Sequence, residues 1–246
     1  MEAAGLAGFV MGAGLLAIFL EHPDLAVMHS FLKDHPLLRR APMGIIMGAY
    51  IWGITLLFGK KSGAHINPSV TLTFLRLGKI NFKDALFYMI AQFAGAVAAA
   101  QLLKYFIGHL FSHPLIDYGV SKPMPPHGSM AAFIAEFIIS FILMFVVLIA
   151  ASSKKFEKYV ALLSGVLIGL YIIIEMPFSG MSLNPARSFA AALAANEWEH
   201  LWIYFIAPPA AMLIAAEIFV QGIKKKFIKA ENYKEISKYP VEEKII

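Results

Sequence analysis

Two short stretches with the same central Asn-Pro pair decide the fold: Ser-Gly-Ala-His-Ile-Asn-Pro-Ser-Val-Thr at residues 62–71 and Ser-Leu-Asn-Pro-Ala-Arg-Ser-Phe at residues 182–189. Asparagine followed by proline is a strong helix start, because asparagine caps the first free amides and proline fits the first helical position. Each pair opens an apolar segment that is too short to cross a bilayer, which takes about 20 residues. The sequence therefore predicts two half-helices, beginning at Pro68 and Pro185, that enter a membrane and stop.

The composition excludes a soluble domain. Hydrophobic residues make up 59% and charged residues 15% of the 246 residues, whereas soluble domains carry about 25% charged residues. Because a backbone in lipid must satisfy its own hydrogen bonds, long apolar segments are predicted to be helices. We predict six such segments, at about Ala3–Leu20, Pro42–Phe58, Ala85–Ile107, Met130–Ala151, Tyr159–Ile174 and Leu201–Gly222.

The two Asn-Pro segments occupy matching places, each after the second span of its half and before the third. Three spans per half place the halves, roughly residues 1–108 and 129–223, in opposite orientations. The chain is thus predicted to be an inverted repeat with its site at the midplane. Glu2 and Glu136 lie near the start of the first span of each half. Residues 1–230 are expected to form one membrane domain, and residues 231–246 a polar cytoplasmic tail.

The basic residues indicate the topology. Lysines cluster between spans two and three, between spans four and five, and after span six. An even number of spans puts these clusters and both termini on one side, which the positive-inside rule makes cytoplasmic. The connection from Glu21 to Arg40, which contains Lys33, is the exception, because it would lie outside. The net charge of +5 is interpreted as contact with anionic lipid rather than with nucleic acid.

Around these pairs the sequence resembles the aquaporin, or major intrinsic protein, family. The two stretches are similar to the Asn-Pro-Ala boxes of that family, with Ser69 in place of the first alanine. Further similarity lies in Ala91-Gln92-Phe93, Ala135-Glu136-Phe137 and Trp202-Ile203-Tyr204. The resemblance implies an all-α membrane protein with six transmembrane helices and two re-entrant half-helices. It implies a homotetrameric passive water channel of the plasma membrane, not an enzyme, and no cofactor or metal ion is expected.

The boxes have a physical reason to filter water. The first amides of a proline-headed half-helix are unpaired and its dipole end is positive, so two such ends repel cations at the pore centre. The side-chain amides of Asn67 and Asn184 each offer two donors, which can engage both lone pairs of a central water. Non-helical backbone at membrane depth is tolerated where it lines a wet cavity. The predicted box residues are Asn67, Pro68, Ser69, Asn184, Pro185 and Ala186, and the predicted pore-lining residues before them are Gly63, Ala64, His65, Gly180 and Ser182.

The resemblance also implies a constriction that contains Arg187. Counting back from the boxes places its partners at Met47, Ile172 and Met181. Water-selective members of the family have an aromatic residue at the first of these positions and often a histidine at the second. The constriction is therefore expected to be more apolar and, because methionine is flexible, more adaptable. In contrast, Ser188 matches the water-type pattern, since glycerol-type members usually have aspartate there.

Two interpretations of the transported solute stay open: water alone, or water plus small neutral solutes such as glycerol and dissolved gases. A secondary transporter, which can share inverted repeats, is a distant alternative because paired midplane carboxylates are missing. Glu136 lies within an apolar run, where a carboxylate is costly. We predict that Glu136 and Glu2 accept hydrogen bonds from the backbone before each half-helix and so scaffold the filter. Glu175 is expected to be a surface charge in an external vestibule.

Overall fold

The computed structural model describes residues 1–25 and 35–236, with side chains described as far as Gly222. Every longer regular element in those ranges is an α-helix. In chain order the helices are α1 (Glu2–Glu21), α2 (Pro36–Ser62), α3 (Pro68–Arg76), α4 (Phe82–Phe111), α5 (Ser129–Ala151), α6 (Val160–Ile174), α7 (Met176–Ser179), α8 (Pro185–Ala195) and α9 (Leu201–Ile236).

Six of these elements, α1, α2, α4, α5, α9 and α6 with its preceding 3₁₀ turn, are long and apolar enough to cross a membrane. The helices α3 and α8 are shorter, and they begin at the prolines of the two Asn-Pro pairs. The predicted fold class, six spanning helices with two half-helices, is therefore confirmed.

Three helices extend beyond their predicted bounds by four residues or more. Helix α2 begins at Pro36, a proline at the first helical position, so that Pro42 lies inside the helix. Helix α4 has non-helical angles at Ile107, the predicted end, and yet continues to Phe111. Helix α9 continues through Ile236 into the segment expected to be a polar tail. Lys33 and residues 237–246 lie outside the described residues.

The packing of the helices follows the repeat. Helix α1 packs on α4, and its counterpart α5 packs on α9, while α2 and α6 pack on each other between the halves. The half-helices exchange sides, because α3 packs on α9 and α8 packs on α4. This exchange brings the first residues of α3 and α8 together at the middle of the molecule.

Glycines set how closely α2 and α6 approach. A Cβ atom at Gly44 would lie 2.5 Å from the carbonyl oxygen of Gly169, and one at Gly48 would lie 2.6 Å from that of Gly165. A Cβ at Gly165 would lie 2.5 Å from the carbonyl oxygen of Gly48. Small residues that allow backbones to touch are the usual means of packing helices within a membrane.

We expect Gly48→Ala to destabilise the protein by about 1–3 kcal/mol, because the added methyl group overpacks this crossing. Gly53→Ala on the same helix is the matched control, since a Cβ there meets no atom within 4 Å. The melting temperatures of the two variants in detergent measure the difference. Equal melting temperatures would contradict the close approach of α2 and α6.

Large apolar side chains cover the outside of the helix bundle. Phe19, Ile45, Leu57 and Phe87 are between 61% and 69% exposed. Contiguous apolar surface of this kind is avoided by soluble monomers and is the surface that lipid requires. The inward faces of these helices carry buried polar side chains, such as Glu2, Gln92 and Glu136.

Candidate functional site

The two asparagines cap the two half-helices. Asn67 Oδ1 accepts a hydrogen bond from the backbone N–H of Ser69 at 2.8 Å. Asn184 Oδ1 accepts from the N–H groups of Ala186 at 3.0 Å and Arg187 at 3.3 Å. Each side-chain oxygen therefore bonds to the helix that it caps. The side-chain N–H groups remain available for other acceptors.

The same asparagines link the two halves of the chain. Asn67 Nδ2 donates to the carbonyl oxygen of Leu183 at 2.8 Å, and Asn184 Nδ2 donates to that of Ile66 at 2.8 Å. These bonds place the N-terminus of each half-helix against the residue before the other asparagine. Because a side-chain amide has two N–H groups, each asparagine retains one for a ligand. The structure thus brings Asn67, Pro68, Asn184 and Pro185 together.

The backbone before each asparagine follows the same unusual path in both halves. It has three positive φ angles in each half, at Gly63 (81°), Ala64 (48°) and Ile66 (39°), and at Gly180 (77°), Met181 (47°) and Leu183 (61°). A side chain in this region is disfavoured and persists only where its surroundings hold it. Both segments must therefore be held by groups outside themselves.

Glu2 holds the first segment. Its carboxylate accepts hydrogen bonds from the N–H groups of His65 at 3.2 Å and Ile66 at 2.6 Å. It also accepts from Ser62 Oγ at 2.7 Å and from Gln92 Nε2 at 2.8 Å. Glu2 is 4% exposed, so these donors replace the water that a buried carboxylate loses.

Glu136 holds the second segment in the same manner. Its carboxylate accepts from the N–H groups of Ser182 at 2.6 Å and Leu183 at 2.8 Å, and from Ser179 Oγ at 2.8 Å. Counted from the asparagines, these donors stand at the same positions as Ile66, His65 and Ser62 in the first half. The predicted pairing of each carboxylate with its segment is therefore present in the geometry of both halves.

Most carbonyl groups of these two segments have no hydrogen-bond partner among the described residues. The carbonyls of Gly63, Ala64, His65, Gly180 and Ser182 accept no hydrogen bond within the described part of the chain. Gly180 and Ser182 are buried, and a buried carbonyl without a protein partner normally has water as its partner. The arrangement can therefore offer a row of acceptors on each side of the two asparagines.

Three of the four predicted constriction residues lie in one apolar cluster. Met47, Ile172 and Met181 are 2%, 4% and 4% exposed and pack with Leu183. Their side chains are apolar and offer no hydrogen-bond donor. Ser69 is buried at the start of α3.

Arg187 contacts a residue that the sequence analysis did not identify. Its Nη1 donates to the hydroxyl oxygen of Ser121. Ser121 lies on the connection between the halves, residues 112–128. Ser188 Oγ also donates to Ser121 Oγ at 3.3 Å, and the hydroxyls of Ser182 and Ser188 are 2.5 Å apart. A single serine in a connection has no sequence pattern that would have singled it out.

His65 packs against other side chains, and Glu175 is more buried than the sequence indicated. His65 is half-buried, with its ring stacked on Phe74 at 4.8 Å and Nδ1 3.2 Å from Thr71 Oγ1, so the ring packs as well as borders the site. Glu175, expected on the surface, is 6% exposed. Neither of its carboxylate oxygens has a hydrogen-bond partner among the described residues. The nearby hydroxyl of Ser179 is already donated to Glu136.

Comparison with known proteins shows which family the chain resembles. The chain is 36% identical over 161 residues to Aquaporin NIP2-2 of Zea mays, a match that covers 65% of this chain and 53% of that protein. It is 34% identical over 178 residues to Glycerol uptake facilitator protein-like 6 of Lactiplantibacillus plantarum, covering 71% and 81% of the two chains. The matched region thus spans about half the length of the maize relative.

A solved structure shares the fold. The X-ray structure of the aquaglyceroporin from Plasmodium falciparum superposes with a TM-score of 0.71 at 18% identity, covering 89% of this chain and 92% of that chain. The sequence model described as Major intrinsic protein matches residues 4–219, which include both Asn-Pro pairs, Glu136 and Arg187. The chain therefore belongs to the major intrinsic protein family of membrane channels.

Proposed function

We propose that this protein is a passive water channel that conducts water in single file and excludes protons and ions. The observation that carries the proposal is the meeting of the two half-helices, each asparagine bonded to the backbone before the other. The remaining N–H of each asparagine can then donate to one water at the centre. That water has both lone pairs engaged, so it cannot accept a proton from its neighbours.

The two walls of the conduit favour water over ions. Carbonyl groups along one wall accept hydrogen bonds, while the cluster of Met47, Ile172 and Met181 offers none. A water molecule can exchange its neighbours for these carbonyls, whereas an ion would lose most of its hydration against the apolar wall. The positive ends of α3 and α8 and the charge of Arg187 oppose cations specifically.

A second candidate function is a facilitator of water plus small neutral solutes such as glycerol. It is supported by the apolar constriction, since methionine side chains adapt their shape more readily than aromatic rings. It is also supported by similarity to a protein named for glycerol uptake and to the fold of an aquaglyceroporin. Ser188 and the hydroxyl groups around it favour the water channel, because they add hydrogen-bonding capacity for water near Arg187.

The proposal includes an orientation and an assembly. An even number of spanning helices with lysine-rich connections on one side supports cytoplasmic termini in the plasma membrane. The exposed apolar surface supports contact with lipid and with other copies in a homotetramer.

Osmotic swelling of proteoliposomes, measured by stopped flow for water and glycerol side by side, tests the proposal. We expect water flux with a low activation energy, a glycerol flux far below it, and no coupling to ion gradients. Mercury should leave the water flux unchanged, because the chain has no cysteine. A glycerol flux comparable to the water flux would favour the facilitator, and ion-coupled flux would favour a transporter.

A further inference from the structure

The connection between the two halves is folded against the filter. Ser121 is 5% exposed and lies beside the first residue of the second extended segment. A Cβ atom at Gly180 would come within 3.0 Å of both the Cα of Ser121 and the backbone nitrogen of Lys122. The absence of a side chain at Gly180 therefore allows the connection to approach the filter closely.

Ion pairs fasten this connection to the end of α8. Lys122 Nζ pairs with the carboxylate of Asp117 and, at 3.1 Å, with that of Glu197, just after α8. Partial burial opposes the charge of Lys122, but its hydrogen bonds to Asp117 and Glu197 raise its pKa above the ordinary value. The ammonium group is therefore charged at any physiological pH, and the connection stays attached.

A second lysine holds the same region. Lys104 Nζ donates to the carbonyl oxygen of Ala194, in the last turn of α8, at 2.7 Å. It also lies 5.4 Å from the ring centre of Tyr118, on the connection. The C-terminal end of α8 is thus tied to the connection by Lys122 and Lys104, and its N-terminal turn is tied to it through Arg187 and Ser121.

The guanidinium group of Arg187 depends on this arrangement. Within the ranges that the structure describes, Ser121 is the one side chain that hydrogen-bonds to it, and no carboxylate lies within salt-bridge distance. An arginine side chain has several rotatable bonds, so a single fixed N–H decides how far the group reaches across the conduit. The hydroxyl of Ser121 has its own position fixed by Ser188 and by the backbone contact at Gly180.

We propose that Ser121 is a positioning residue that determines solute selectivity by holding the Arg187 side chain at a set reach across the pore mouth, with the Lys122 ion pairs fixing Ser121 in place. This inference rests on the proposed function. It assigns to the connection between the halves a part in the choice between water and larger neutral solutes.

The test compares the glycerol-to-water permeability ratio of Ser121→Ala, Ser121→Thr and Ser112→Ala in proteoliposomes. We expect Ser121→Ala to raise the ratio about threefold to tenfold, since a hydrogen bond to a charged group is lost. Threonine keeps the hydroxyl and should restore the ratio. Ser112 is an exposed serine of the same connection, so Ser112→Ala should leave the ratio at the wild-type value.

A double-variant comparison separates positioning from a general structural role. With Arg187→Val already present, Ser121→Ala should change the ratio no further, because the two residues act as one unit. Lys122→Met, which releases the connection without removing the hydroxyl, should raise the ratio by a smaller factor. It tests the inference even if Ser121→Ala fails to fold.

Two results would overturn the inference: an unchanged ratio in Ser121→Ala and Lys122→Met, or an equal effect of Ser121→Ala with and without Arg187. A wild-type protein that conducts neither water nor glycerol would instead overturn the proposed function itself.

Discussion

Glu136→Ala should abolish water flux and lower the melting temperature. The substitution leaves the N–H groups of Ser182 and Leu183 and the hydroxyl of Ser179 without an acceptor. Each unsatisfied buried group costs about 1–3 kcal/mol. Three such losses are comparable to the whole stability of a protein, about 5–15 kcal/mol.

The loss of flux has a separate cause from the loss of stability. Met181 and Leu183 have φ angles of 47° and 61°, and the backbone relaxes when nothing holds their amides. The carbonyl oxygen of Leu183 accepts a hydrogen bond from Asn67 Nδ2 at 2.8 Å. Relaxation of the backbone moves this oxygen away from its donor. Stopped-flow permeability and melting temperature in detergent measure the two effects.

Glu175→Gln is the matched control for Glu136→Ala. Glu175 is a second buried carboxylate close enough to Glu136 to interact with it electrostatically, yet its oxygens accept no hydrogen bond from the described residues. Replacing it with glutamine should leave the water flux within about a factor of two, since no hydrogen bond is removed. If Glu136→Ala conducted water as well as this control, the scaffold role of Glu136 would be wrong.

The sequence predicts the repeat and its half-helices because their signals are local. Asparagine before proline defines a helix start by itself, and a glutamate within an apolar run attracts notice wherever it occurs. Glu2 and Glu136 could be paired with the Asn-Pro segments because the same order of elements occurs twice. The boundaries of α2 and α9 were less predictable, since both helices continue beyond the apolar stretch into charged residues, through Arg39 and Arg40 in α2 and beyond Gly222 in α9.

The hydrogen-bond partners of the two asparagines and of Arg187 could not be predicted. The acceptor of Asn67 Nδ2 is a backbone carbonyl, at Leu183, and a carbonyl is present at every position. The contact between Ser121 and Arg187 joins an irregular connection to a half-helix, and no periodicity describes such a connection. Glu175 was misplaced because a carboxylate at a helix end normally reaches solvent, whereas this one, between α6 and α7, is 6% exposed.

Arg187→Val should convert the pore to one that passes glycerol freely. The substitution removes the one charged side chain predicted at the constriction and leaves Met47, Ile172 and Met181 as an apolar opening. We expect the glycerol-to-water permeability ratio to rise about tenfold or more, a change of about 1.4 kcal/mol or more in the relative barriers. Water flux itself should stay within about a factor of three, because the asparagines and the carbonyls remain.

Proton conductance should rise in the same variant. A guanidinium about 4 Å from a passing cation raises its energy by about 4 kcal/mol at an effective dielectric constant of about 20. That repulsion disappears with Arg187, while the positive ends of α3 and α8 still act at the centre. Sodium should therefore remain excluded, and a pH-sensitive dye inside the vesicles should report a faster proton leak.

Arg76→Val is the matched control for both measurements. Arg76 ends the other half-helix, but its side chain is 60% exposed. Its guanidinium group forms a salt bridge with Glu217 at 2.7 Å. Its loss removes the same charge from the chain without opening the conduit, so the solute ratio and the proton leak should match the wild type. An equal rise in both variants would mean that net charge, rather than the position of Arg187 at the mouth, sets the selectivity.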